Sequence, residues 1–97
     1  MRVILSAKAR SDLQEIGDYI AADNPRRAVT FVLELRRSCL DLSEHPLRYP
    51  VIEWYDNGEH RRRAYGNYLI IYQVHEDAVR VVRVISASVD INSLGED

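Results

Sequence analysis

Residues 9–42 read ARSDLQEIGDYIAADNPRRAVTFVLELRRSCLDL, and the spacing of apolar residues within them is helical. Ala9, Leu13, Ile16 and Ile20 are four, three and four residues apart, which lays them along one helix face. Arg10, Asp12, Gln14 and Asp18 fill much of the remaining surface. Asp23-Asn24-Pro25 then punctuates the chain. Asn24 offers a side-chain oxygen as an N-cap, and Pro25 at a first helical position loses no hydrogen bond. A second helix is expected from Pro25 to Glu44, stopped by Pro46. Stepped at about 100° per residue, Ala28, Phe31, Val32, Leu35, Cys39 and Leu42 share an arc of roughly 100°. Val29, Leu33 and Leu40 form a second apolar cluster about 120° away. One sheet face does not need an apolar surface that wide. The second helix must therefore touch two bodies: the sheet, and either the first helix or a partner. The short junction at Ala22–Asn24 makes the helices antiparallel neighbours, an αα-hairpin. Gly17 inside the first helix costs about 1 kcal/mol relative to Ala or lets the second helix approach closely, and the spacing leaves both open.

Outward from the hairpin the pattern changes to strand. Arg2 to Leu5 is short and β-prone, and Ser6 is placed to cap the first helix. Tyr49-Pro50-Val51-Ile52-Glu53-Trp54-Tyr55 is β-prone apart from its Pro, which assigns it to a strand start or an edge. Asp56-Asn57-Gly58-Glu59 is a turn signal. His60 to Tyr65 and Tyr68 to His75 flank Gly66-Asn67, a two-residue hairpin turn. In the second of these strands Tyr68, Ile70, Tyr72 and Val74 line one face, and Leu69, Ile71, Gln73 and His75 the other. Apolar residues on both faces mark a central strand. After Glu76-Asp77 a last strand runs from Ala78 to Ser86, and Ile91 and Leu94 are spaced to dock as one helical turn. The expected architecture is a single α+β domain over residues 1–97. It has an N-terminal strand, the αα-hairpin, and a hairpin-connected antiparallel sheet of three or four strands.

With 46% hydrophobic and 29% charged residues, the chain is neither disordered nor membrane-embedded, and no apolar run approaches the ~18–20 residues that span a bilayer. The opening residues lack a secretory core, so a cytoplasmic location is expected. Cys39 is the only cysteine, which excludes an internal disulfide, and its apolar neighbours make it a buried hydrophobe. Net charge is −2, unlike proteins whose affinity comes from neutralising nucleic-acid phosphates. Twelve of the thirteen basic residues are Arg, the side chain suited to gripping carboxylates and phosphates at interfaces.

Few residues offer chemistry. His45, His60 and His75 lie fifteen apart with no metal-ligand spacing, so no metal is expected. The glycines at 17, 58, 66 and 95 are too scattered to cradle a phosphate, and no cofactor is expected. What remains is Arg61-Arg62-Arg63 followed by Tyr65 and Tyr68, with Arg80 and Arg83 on the last strand. Alternation places Arg61, Arg63 and Tyr65 on one face and Arg62 on the other. Such a row grips a phosphate or a protein carboxylate, or it covers an exposed sheet and pairs with Glu53, Glu59 or Glu76. His60 beside it is a candidate acid or base.

The order of short motifs resembles the ParE toxins of the ParE/RelE superfamily. Ala9-Arg10-Ser11-Asp12-Leu13-Gln14-Glu15-Ile16 is similar to the family's A-x-x-D-L-x-x-I. Tyr19-Ile20 with Asn24-Pro25 and Ala28 is similar to Y-I … N-P-x-x-A, and Leu42 to Pro46 to L-x-x-x-P. Arg63, Gly66, Tyr68, Ile70 and Tyr72 follow the family's central strands, and Val81 to Val84 its closing V-x-R-V. Ser86 and Val89 stand where many relatives carry His and Arg. The resemblance implies a RelE/ParE fold and a ParD-like antitoxin that wraps the toxin. It also implies autorepression, with operator DNA bound only through the toxin–antitoxin complex. It implies DNA gyrase as target, poisoned without covalent chemistry by this chain, so no catalytic residue is assigned. Target contact would then fall to Arg61, Arg63 and Tyr65, with Arg83 as an outlier, and antitoxin contact to Val29, Leu33 and Leu40. The superfamily's RelE branch cleaves mRNA on the ribosome with basic residues and a C-terminal Arg and Tyr or His. Here Leu69 replaces the strand Arg, Ile85 to Ile91 supplies none of the others, and only His60 or Tyr65 is left as a general acid. Gyrase poisoning is therefore expected ahead of ribonuclease activity. A third possibility is an attenuated toxin that keeps only antitoxin binding and operon repression.

Overall fold

A computed structural model describes residues 1–52 and 58–88 of the chain. Strand β1 (Arg2–Leu5) leads into helix α1 (Ala7–Ala21) and helix α2 (Pro25–Leu40). Strands β2 (Val51–Ile52), β3 (His60–Tyr65), β4 (Tyr68–Val74) and β5 (Ala78–Ser86) follow. The caps act as the sequence indicates. Ser6 Oγ accepts from the Ala9 N–H at 3.0 Å, and Asn24 Oδ1 accepts from the Arg27 N–H at 3.1 Å. Helix α2 ends at Leu40 rather than at Glu44, because its last turn tightens into a 3-10 turn over Asp41–Ser43. That turn still delivers Leu42, fully buried, to the core.

The expected α+β class holds, with one addition. The sheet has five strands in the order β1-β5-β4-β3-β2, and it is mixed rather than wholly antiparallel. β1 lies parallel to β5, with Arg2–Leu5 opposite Ala78–Val81. β5-β4, β4-β3 and β3-β2 are antiparallel, as hairpin connections require. The αα-hairpin carries the chain from β1 at one edge to β2 at the other, and the β2-β3-β4-β5 meander then brings β5 back beside β1. The turn between β3 and β4 uses Gly66 at φ 56°, with the Phe31 ring 3.4 Å from where a Cβ would stand. The expected strand beyond Ile52, the turn residues Asp56 and Asn57, and the docking of Ile91 and Leu94 lie outside the described residues.

One core sits between the helices and the sheet. Ala9, Leu13 and Ile16 of α1 meet Leu35 and Cys39 of α2, Ile70 and Tyr72 of β4, and Val79, Val81 and Val84 of β5. Ile52, Leu69, Ile71 and Ile85 form a smaller buried cluster, and alternation along β4 puts it on the other face of the sheet. β5 also contributes to both, and it bulges. Ile71 pairs with Arg83 but Tyr72 with Val81, so Val82 is an extra residue. Val81 and Val84, three apart, thereby both reach the helix side.

Asp12 explains why α1 seats where it does. It is only 5% exposed, yet its carboxylate is fully engaged. Arg83 Nε donates to Oδ2 at 2.8 Å and Nη2 to Oδ1 at 3.2 Å, and the Val84 N–H donates to Oδ2 at 2.9 Å. Ser6 adds a second tie, its Oγ donating to the Val82 carbonyl at 3.0 Å. Both attachments land on the bulge. Asp12→Ala is expected to lower the unfolding free energy by about 2–4 kcal/mol, because it removes a half-buried bidentate ion pair and leaves the buried Val84 N–H without its acceptor. Urea denaturation should show a lower midpoint at an unchanged slope.

Candidate functional site

Two surfaces stand out, one apolar and one basic. The apolar one is the outer side of the helical hairpin. Val29, Leu33 and Leu40 are 63%, 60% and 43% exposed, so they are not core residues. Between the helices runs a groove of ≈ 520 Å³, lined by Leu13 and Gly17 of α1 and by Ala28, Val29, Val32 and Leu33 of α2. Gly17 resolves toward close approach: a Cβ there would stand 3.2 Å from Val32 Cγ2. The helices are close enough to shape a continuous trough while the outermost α2 residues stay in water.

The basic surface is the row on β3. Arg61, Arg63 and Tyr65 pair with Tyr72, Ile70 and Tyr68, so they share the helix-side face. Each has an internal partner. Arg61, 16% exposed, donates from Nη1 to the Leu47 carbonyl at 3.1 Å and the Tyr49 carbonyl at 2.7 Å. Its Nη2 pairs with Glu59 at 3.2 Å, one of the partners the sequence offered. Arg63 Nη1 donates to the Ser38 carbonyl near the end of α2 at 2.7 Å, and its guanidinium lies 5.1 Å from the Tyr49 ring centre. That carbonyl belongs to the negative end of the helix dipole, where a cation is favoured. Tyr65 donates from its hydroxyl to Glu34 at 2.5 Å, and Glu34 in turn accepts from Arg27 at 2.8 Å. Arg83 sits apart from this row, on α1's carboxylate.

The Arg27–Glu34–Tyr65 chain shifts its members in opposite directions. Hydrogen bonds from Arg27 and Tyr65 hold the Glu34 carboxyl below its usual range. The bond to Glu34 raises the Tyr65 phenol. Burial lifts the Tyr72 phenol to about 12, and its hydroxyl donates to the Pro46 carbonyl at 2.5 Å. Burial likewise pushes the Cys39 thiol up to about 12, so it is a packing residue and not a nucleophile at neutral pH.

His60 is buried, with Nδ1 3.0 Å from the Gly58 carbonyl; a carbonyl only accepts, so Nδ1 is the donor. Strand alternation puts His60 with Arg62, across the sheet from Arg61, Arg63 and Tyr65. The two groups available as general acids therefore do not converge. Among the described residues no three His, Cys, Asp or Glu side chains come together as metal ligands. No described helix is long and apolar enough to cross a membrane.

Sequence reasoning did not single out Asp12 or Glu34. For Asp12 a signal was present: it falls three residues after Ala9 and four before Ile16, at the edge of the apolar stripe. A carboxylate there must find a buried partner. Glu34 gave no comparable signal, since its place on the polar side of α2 fits a solvated residue equally well.

A helical hairpin over one face of a five-stranded mixed sheet makes this an α+β domain. A solved structure described as "Chromosomal ParDE TA system from P. aeruginosa" shares that fold. The superposition has a TM-score of 0.75 at 16% identity and covers 89% of this chain and 95% of that one. No curated protein matches the sequence. The model of the family described as "ParE toxin of type II toxin-antitoxin system, parDE" matches residues 3–91, and the chain belongs to that family.

Tyr65 is expected to titrate above the ordinary tyrosine value of about 10, and to return toward it in Glu34→Gln. Its bond to Glu34 contributes stability below that ordinary value and loses it as pH rises through the raised one. The Glu34 contribution has the opposite sense, present above the usual carboxyl range and lost as pH falls through the lowered value. Carbon-13 tyrosine spectra recorded from pH 8 to 12, with Tyr65→Phe for assignment, check the first statement.

Proposed function

We propose that this chain is the toxin of a type II toxin–antitoxin pair, that it arrests growth by poisoning DNA gyrase, and that a ParD-like antitoxin neutralises it. The supporting observation is membership of the ParE toxin family across nearly the whole chain. On this reading the toxin acts in the cytoplasm by contact with gyrase and performs no covalent step of its own. The antitoxin covers Val29, Leu33 and Leu40, whose exposure on α2 is otherwise costly in water. Operator DNA is bound only through the complex, in keeping with a toxin of net charge −2.

The gyrase-facing surface is centred on the β3 row of Arg61, Arg63 and Tyr65, with Arg83 as an outlying member. Because these side chains also brace the loop at 47–49, the end of α2, and α1, they hold the surface in one shape before it meets its target. The separation of His60 from this row supports gyrase poisoning over a ribosome-dependent ribonuclease.

Tightly controlled expression in bacteria with a DNA-damage reporter tests the reading. Growth arrest with reporter induction, both cancelled by co-expressed antitoxin, is the expected result. Arrest without induction moves the target to the ribosome, and no arrest leaves antitoxin binding and repression as the role of the fold. Leu33→Glu and Leu40→Glu should fold normally, weaken antitoxin binding on the order of tenfold or more, and restore arrest in its presence. Tight binding by both variants would remove the α2 row from the antitoxin interface.

A further inference from the structure

We infer that the groove between α1 and α2 is electrically polarised and admits a docked helix in one direction only, with its C-terminal, acidic end against Arg10 and Arg36 and its N-terminal end against Asp18. This rests on the antitoxin reading above and adds the chemistry and direction of the segment it would take.

The inference starts from helix antiparallelism. Arg10 lies near the start of α1 and Arg36 near the end of α2, so both line the same end of the groove. Asp18 lies at the other end, with Ala28 and Val29. Gly17 and Val32 mark a point of close approach between the helices. Between the charged ends the walls are Leu13, Val32 and Leu33.

Length follows from helical rise. Arg10 and Asp18 are eight residues apart, as are Ala28 and Arg36, so at ~1.5 Å per residue the charged ends are about 12 Å apart. Roughly two turns of a helix fit between them, presenting apolar side chains at i, i+3 or i+4, and i+7. Leu40, one turn beyond Arg36, continues the apolar row past the cationic end.

Charge then sets direction. Among the described residues Arg36 makes no hydrogen bond or ion pair, and Arg10 uses one guanidinium nitrogen on the Leu5 carbonyl, 2.8 Å away. Both are exposed. A helix carries partial positive charge at its N-terminus and partial negative charge at its C-terminus. The favourable arrangement puts the N-terminus at Asp18 and the C-terminus at the two arginines. The docked helix then runs parallel to α2 and antiparallel to α1. Carboxylates in its last turn would meet the two guanidinium groups. The reverse direction sets like charges together at both ends.

The test uses two helix-stapled synthetic peptides with identical Leu anchors, one carrying Glu in its last turn and Lys in its first, the other the reverse. Binding to the full-length toxin is measured by fluorescence anisotropy. The wild type should prefer the first peptide by roughly tenfold, the size expected of a few rim charges acting together. The triple variant Arg10→Glu, Arg36→Glu and Asp18→Arg should reverse the preference; all three positions are exposed, and circular dichroism confirms that it is folded. Equal affinities, no binding by either peptide, or a preference that survives the swap overturns the inference. Leu33→Glu separates it from the reading beneath it. If that variant still binds full-length antitoxin, the groove is not the antitoxin site. If it loses antitoxin while neither peptide is preferred, only the direction is wrong.

Discussion

A single buried carboxylate determines how the two layers of this domain sit on each other. Asp12 accepts three hydrogen bonds, two from the Arg83 guanidinium and one from the Val84 backbone. Apolar packing between a helix and a sheet is nearly non-directional and tolerates sliding and rotation. A bidentate guanidinium–carboxylate pair does not, because both donors must stay in line with both oxygens. The pair fixes α1 against β5 at the bulge, where the ladder is already interrupted. The hairpin carries α2 along with it. With that rotation set, Leu35 and Cys39 go down into the core while Val29, Leu33 and Leu40 remain in water.

The β3 arginines act within the same logic. A strand of three consecutive arginines invites reading as an open cationic patch. Instead, Arg61 and Arg63 reach backbone carbonyls of segments that cross the sheet, and Tyr65 reaches a helix carboxylate already held by Arg27. Arginine suits this use because its planar fork satisfies several acceptors at once and keeps its charge when half-buried. The outcome is a rigid surface whose shape is set before any encounter.

The apolar surface behaves differently. Nothing in the described chain covers the outer row of α2, and a close helix–helix approach at Gly17 turns the neighbouring surface into a trough. A glycine that weakens α1 by helix propensity thus contributes the shape of an apolar trough.

Much of this was legible in the sequence. Apolar periodicity, the Ser6 and Asn24 caps, Pro25 and the Gly66-Asn67 turn are local signals, since a helix face or a hairpin is specified by residues a few positions apart. They determined the αα-hairpin, the two-faced central strand β4, the second apolar cluster on α2 and the shared face of Arg61, Arg63 and Tyr65. The tertiary structure alone decided what joins residues far apart. The parallel pairing of β1 with β5 brings together segments more than seventy residues distant. Asp12 and Arg83 are 71 residues apart. The bulge at Val82, the carbonyl partners of Arg61 and Arg63, and the trough between the helices likewise depend on where whole elements come to rest. Local spacing says which way a side chain points; only packing says what it meets there.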